Sequence, residues 1–317
     1  MKHIIYPERQ STATATSENA NYPIANLTSN NYRKKVWRAS AGVQSATIRV
    51  PIAANAEAIS LHGTNAEAAI CTITLDTAEK ALNAAAATNN SGGLVGIPLT
   101  SHGYSAGNIV LLNGTTNYDG VYTLPSQSTG DANEFVITAT YAAETFAGTD
   151  TASIVVESTT HDLETATRTY DRFWQEYTEQ TAAHTATIKL TAGSGETVEA
   201  GIVRAGAMLT LANPQYGASQ SPKDFSIKKD LRNGAIFTKK RAMVRNFSYS
   251  IEVLRDTKFN DLMDLYFYYG PDPFAMLIAD EIDDNLWTVF GAFTGEPKGS
   301  HKYFTHSNIS ISILEGV

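Results

Sequence analysis

The residues with the chemistry for catalysis or metal binding are seven histidines, one cysteine and two groups of carboxylates. His3, His62, His102, His161, His184, His301 and His306 are scattered. None stands in the HExxH or HxH spacing that brings two imidazoles to one metal; the nearest to a pair, His301 and His306, lie in a polar stretch. No GxSxG, P-loop or GxGxxG sequence occurs, so an enzyme would have to assemble its site from residues that no motif marks. Lone Cys71 excludes an internal disulfide and a cysteine-based zinc site. The run DEIDDN (280–285) offers the oxygen ligands that Ca²⁺ takes but lacks EF-hand spacing and its closing Glu. A solvated hairpin between two strands is the plainer reading. The acid-bearing turn TTNYDG (115–120) has the same two readings. The expectation is therefore no catalytic residue, no metal and no cofactor.

Aromatic rings offer another chemistry, the stacking of sugar faces. Trp37, which follows Arg33-Lys34-Lys35, and Trp174, within YDRFW, are the candidate platforms if sandwich loops expose them. Core packing is the commoner fate of a tryptophan.

The elements that would position these residues are mostly strands. SATIRVPI (45–52), AEAISLHG (56–63) and AICTITL (69–75) are short, β-branched-rich runs. In the last, Ile70, Thr72 and Thr74 alternate with Cys71, Ile73 and Leu75, the period of a strand with one buried face. DTAEKALNAAAAT (76–88) reads as a linker with room for a short helix before the turn cluster NNSGG. GNIVLLNG (107–114), GVYTLPS (120–126), NEFVITATY (133–141) and TASIVVES (151–158) are strands bounded by turn signals, a small antiparallel unit. TRTYDRFWQEYTEQ (167–180) fits either a helix face or a strand, whereas HTATIKLTAG (184–193) alternates as a strand. Beyond 217, AIFTKKRAMVRNFSYSIEVL (235–254) is a long strand or hairpin. TKFNDLMDLYFYYG (257–270) is an amphipathic helix stopped at Gly270, and FAMLIAD, LWTVFGAFTG and HSNISISILEG are strands.

Charge divides the chain the same way. The 317 residues carry 24 Lys+Arg and 32 Asp+Glu, a formal net charge of −8. Ala81 to Thr167 holds no basic residue and eight acids, so the excess acidity belongs to a mid-chain block with the character of an inserted module. Acidic balance argues against general nucleic-acid binding. The opening residues have no signal-peptide core, and no window reaches the roughly 20 apolar residues of a membrane span. The expectation is a soluble protein made in a reducing compartment.

The fold class expected is mainly β. A jelly-roll sandwich (1–80 and 158–217) is interrupted by an acidic antiparallel module (81–157) and followed by an α+β, helix-capped barrel-like domain (218–317).

Segments 22–40 (YPIANLTSNNYRKKVWRAS) and 45–75 resemble the entry of a discoidin-type, galactose-binding-like jelly roll, and GIVRAGAMLTL (201–211) resembles its closing strand. The stretch 96–141, with GNIVLLNG and NYDGVY, is similar to a small β module of phage structural proteins. YSIEVL, the helix, YYGPDPFAMLIAD, WTVFGAFTG and SISILE resemble C-terminal regions of phage tail-tip proteins. The resemblance implies a non-enzymatic virion component of a tailed phage, at the tail tip, distal tail or baseplate, assembled in the host cytoplasm. It also implies a homo-oligomer, with tail tube, hub, tape measure or fibre proteins as partners. The ring-forming core would lie in strands 235–254 and 306–316 with the helix, and Phe247, Tyr249, Phe259, Tyr266 and Ile311 would be interface residues. Deleting 218–317 would then leave a soluble sandwich. Lectin-type ligand residues are absent from the matched segments. The alternative reading is a carbohydrate-binding host-adhesion module that contacts a surface glycan. A third is a polysaccharide hydrolase, whose carboxylates need no fixed spacing.

Overall fold

The computed structural model describes residues 2–30, 35–76, 79–126, 132–211, 219–230, 236–240, 243–254, 258–278, 284–301 and 306–316. In chain order the first strands are β1 (Lys2–Glu8), β2 (Thr14–Ala15), β3 (Trp37–Arg38), β4 (Ser45–Ile52), β5 (Ala56–His62) and β6 (Ala66–Leu75). Next come β7 (Lys80–Ala81), β8 (Thr88–Asn89), β9 (Leu94–Pro98), β10 (Ile109–Asn113), β11 (Gly120–Thr123), β12 (Glu134–Thr138) and β13 (Thr151–Asp162). The chain returns through β14 (Arg172–Gln180), β15 (His184–Ala192), β16 (Glu199–Ala200) and β17 (Ile202–Leu211). Its last part holds β18 (Ser219–Asp224), β19 (Ile227–Asp230), β20 (Ile236–Lys239), β21 (Met243–Leu254), α1 (Lys258–Tyr269), β22 (Phe274–Leu277), α2 (Asp284–Trp287), β23 (Thr288–Phe293), β24 (Lys298–His301) and β25 (His306–Glu315). The protein is mainly β. Residues 172–180, ambiguous in sequence, are a strand, and 235–254 holds two strands, β20 and β21. No α-helix occurs among the described residues of 76–88.

Two large sheets organise these strands. The first runs β14-β5-β17-β1-β22-β23-β25-β21-β18, with β24 on β25; the second runs β11-β10-β13-β6-β15-β4-β2, with β7 on β13. Alternation explains how they stack. Ile48, Val50, Cys71, Ile73, Ala186 and Ile188 of the second sheet point inward, where they meet Ile59, Leu61, Phe173 and Val203 of the first. Trp37 lies in the same core. Every one of these residues comes from 13–73 or 163–205, so the chain segments flanking the acidic block close one sandwich.

The acidic block has a core of its own, including Val95, Ile97, Tyr104, Leu112, Tyr118, Phe135 and Phe146. It is joined to the sandwich by hydrogen-bonded sheet. The first half of β13 pairs with β10 and β7, and the second half pairs with β6 after a register shift between Val155 and Glu157. One twelve-residue strand thus belongs to both units.

The last part is fused to the sandwich in the same way. β1 pairs with β17 on one side and β22 on the other. Alternate side chains of β1 enter different cores: Ile4 joins Leu262, Leu265, Tyr269, Phe274 and Ile311, while Ile5 joins Trp174, Ile202, Ala275, Leu277 and Phe290. Helix α1 covers the first of these clusters and stops at Gly270, whose φ of +54° suits glycine and whose N–H donates to Tyr266 O at 2.7 Å. The Tyr269 hydroxyl donates to Ile5 O at 2.8 Å, pinning the helix end to β1.

The first sheet curls until β14 meets β23 and β25. Arg172 Nη1 donates to Thr288 O at 3.3 Å and to Glu315 Oε1 at 2.5 Å, and Arg245 Nη2 donates to the same carboxylate oxygen at 2.8 Å. Glu315 is only 4% exposed. Burial by itself would raise its carboxyl, but hydrogen bonds from Arg245 and the charge of Arg172 outweigh that and hold it at about 2.

Candidate functional site

The structure corrects several sequence expectations about exposed rings. Trp37 is 0% and Trp174 is 2% exposed, so neither offers a ring face to a sugar. Each lies on a strand whose alternation turns it inward: β3 carries Trp37 into the sandwich core, and β14 carries Trp174 into the core beside Phe290. Phe247, Tyr249 and Ile311 are likewise buried beneath α1, with the Tyr249 hydroxyl 3.6 Å from Met276 Sδ. They build the C-terminal core and present no surface to a neighbour. Tyr266 is half-buried, edge-on to Phe293 at 5.5 Å between ring centres. Phe259 belongs to α1, but its side chain lies outside the described residues. The apolar side chains that do face solvent were not singled out in the sequence: Phe267 is 80%, Met243 66%, Tyr268 56% and Phe237 51% exposed.

Cys71 and several of the histidines sit in structural contacts, while the side chains of His301 and His306 lie outside the described residues. Cys71 is buried in the sandwich, and burial pushes its thiol up. His184 Nε2 lies 3.0 Å from the Tyr177 hydroxyl, and His161 stacks on Phe173 with ring centres 4.4 Å apart. Burial lowers both imidazoles, and it lowers His62 further, helped by the charge of Arg172. His102 Nδ1 accepts the Tyr104 N–H at 2.9 Å. In the TTNYDG turn, Asp119 Oδ1 accepts the Thr115 N–H and hydroxyl at 2.7 and 2.9 Å. Glu144 accepts the N–H groups of Thr116 and Asn117 at 2.5 and 2.8 Å. These carboxylates hold a loop. Among the described residues no group of three His, Cys, Asp or Glu could hold a metal ion. Positions 280–283 of DEIDDN lie outside the described residues, and 284 begins α2.

The feature with the shape of a site is a cleft of about 610 Å³ between the sandwich and the acidic module. Its floor is the outer face of the second sheet. The residues that alternate with the core positions are Ser45 and Thr47 on β4, Thr187 and Lys189 on β15, Ile70 and Thr72 on β6, and Ser158 and Thr160 on β13. The register aligns them in rows. Thr47, Lys189, Ile70 and Thr160 form one, and Thr187, Thr72 and Ser158 form the next. The roof comes from β10 and the turn into β11, with Leu111, Asn113, Asp119 and Val121. Asp119 is raised chiefly by burial, with hydrogen bonds from Thr115 opposing. The alternation of Ile70, Thr72 and Thr74 was legible in the sequence. The juxtaposition with 111–121 was not, because only the fold of the module back over the sheet creates it.

No protein-family model matches the chain, and no curated protein matches it. Among solved structures it is similar to chitosan-binding module 1 of a chitosanase/glucanase from Paenibacillus sp. IK-5, at 12% identity and a TM-score of 0.27, over 63% of this chain and 97% of that one. It is also similar to a chain in the tail of an empty gene transfer agent particle, at 16% identity and a TM-score of 0.23, over 35% of this chain and 87% of that one. A chain from the virion of a native gene transfer agent matches at 19% identity and a TM-score of 0.22, over 35% and 88% of the two chains.

Proposed function

We propose that the chain is a non-enzymatic structural component of a tailed-phage virion, built into the tail tip or baseplate as a ring or hub subunit. On this reading the C-terminal part faces neighbouring tail subunits, and the sandwich with its acidic module faces outward. The sequence resemblance of 22–40, 45–75, 96–141 and the C-terminal pieces between 249 and 315 to phage structural segments supports it. The carrying observation is that Phe267, Tyr268, Met243 and Phe237 of the C-terminal part are each more than half exposed although that part has a closed core of its own. Large apolar side chains left exposed above a closed core are the kind that a contact surface uses. A stiff unit suits that role, since one sheet runs from β14 through β1 to β18.

The test is particle incorporation of a Phe267→Glu/Met243→Glu double variant. Both side chains are exposed, so the isolated variant is expected to melt like the parent. Incorporation into phage particles, read by quantitative blotting, is expected to fall about tenfold or more. Incorporation at the parental level would overturn the assignment.

A further inference from the structure

The floor of the cleft is a lattice of hydroxyls set by strand geometry, about 4.8 Å apart between strands and about 6.7 Å along them. Thr72 Oγ1 and Ser158 Oγ lie 3.1 Å apart and satisfy each other. Thr187, one strand away in the same row, is 6% exposed, and its Oγ1 is buried with no hydrogen-bond partner in the protein. A buried hydroxyl left unpaired costs about 1–3 kcal/mol, and this one borders a cleft. Lys189 stands in the adjacent row, exposed and without a carboxylate partner. Asp119 reaches in from the roof with Oδ1 engaged by Thr115 and Oδ2 in no hydrogen bond. Ile70 and Val121, 37% and 39% exposed, add small apolar patches to floor and roof.

That mixture selects among ligand classes. Peptide addition needs an open strand edge, but β4, β15, β6 and β13 are paired to one another and present only their faces. Nucleic acid needs several cations along its phosphates, and among the described residues Lys189 is the one cation on the cleft wall. An apolar ligand would meet a wall half made of hydroxyls. Serine and threonine hydroxyls both donate and accept, which matches a ligand that itself carries hydroxyls at short, regular spacing. We propose that the cleft binds a short segment of oligosaccharide. Thr187, Thr72, Ser158, Thr160, Lys189 and Asp119 address sugar hydroxyls, and Ile70 and Val121 meet the C–H face of a ring. The site is separate from the apolar contact surface of the C-terminal part and is occupied whether or not the chain stands in a tail.

The experiment is a titration of the full chain, ¹³C-labelled at threonine methyls, with maltohexaose, cellohexaose, chitohexaose and hexagalacturonate, each to about 10 mM, enough to detect millimolar affinity. The expected result is saturable shifts confined to the methyls of Thr47, Thr72, Thr160 and Thr187 with at least one of the four sugars. Thr187→Val keeps the side-chain volume and removes only the unpaired hydroxyl, so it is expected to weaken that binding about three- to tenfold without lowering the melting temperature. Lys189→Met, at an exposed position, is the second probe and is expected to weaken binding similarly. The proposal is overturned if no sugar moves the cleft methyls, if the shifts lie elsewhere, or if both variants bind as the parent does.

Discussion

Glu315 shows how much one side chain near the chain's end can hold together. It is buried between Arg172 of the sandwich and Arg245 of the C-terminal part, and it is held at about 2 against an ordinary 4.5. Because its folded value is depressed, the stabilisation is fully present above about pH 4.5 and is lost as the pH falls toward 2. That loss is on the order of 3 kcal/mol. Thermal melts between pH 7 and 3 are expected to show the melting temperature falling below pH 4.5. Glu315→Gln should flatten that acid limb and cost on the order of 3 kcal/mol at neutral pH, since it removes the one buried carboxylate that both Arg172 and Arg245 contact. An acid limb unchanged in the variant would remove Glu315 from this role. In the sequence Glu315 reads as an ordinary strand-end acid, because the arginines that bury it lie 70 and 143 residues away. The two tryptophans mislead for the same reason. Their ring chemistry is plain in the sequence, but exposure depends on which side of a strand faces a core.

At the level of elements, β1 is the piece whose role the sequence concealed. No strand is assigned to it from the sequence, yet it joins the two halves of the longest sheet. Its register on β17 shifts between Ile5 and Glu8, and Gly206 sits opposite Glu8. A Cβ at Gly206 would lie 2.3 Å from Pro7 O and 2.9 Å from Glu8 Cα, so the strands can approach only over a glycine. Gly206→Ala is expected to destabilise the protein by about 1–3 kcal/mol. It should also raise amide exchange across β1 while leaving the acidic module protected. Equal protection of β1 in the variant and the parent would refute this. Helix α1, by contrast, was readable to its last residue. Its apolar spacing and its stop at Gly270 are local, and local signals survive any tertiary arrangement.

For the molecule as a whole, shared strands change what can be cut away. Removal of 218–317 was expected to leave a soluble sandwich, but the structure gives that segment a covering role. Without it, Ile4, Leu209 and Leu211 lose the helix-side core, and Ile5, Trp174 and Ile202 lose Ala275, Leu277 and Phe290. The truncated chain 1–217 is expected to aggregate or to bind a hydrophobic dye strongly, because β1 would become an open edge with apolar residues on both faces. A monodisperse 1–217 with parental melting behaviour would show instead that the sandwich closes without its partner. The proposed division of labour, assembly through the C-terminal part and an outward sandwich, therefore concerns surfaces of one fused body and does not require separable domains.

The sequence by itself determined the β class, the helix over 257–270 and its stop, the alternation of the sandwich strands and the mid-chain block free of basic residues. These follow from the order of neighbouring residues, and residues two to four apart report local geometry directly. Tertiary structure alone decided that β1 and β13 each serve two units, that the aromatic candidates are core, that Glu315 is clamped by distant arginines, and that a threonine-bearing sheet face is roofed by the acidic module. Each depends on strands pairing across tens to hundreds of residues. In such pairing the free energy lies in burial and hydrogen bonding between partners whose identity the local pattern does not carry.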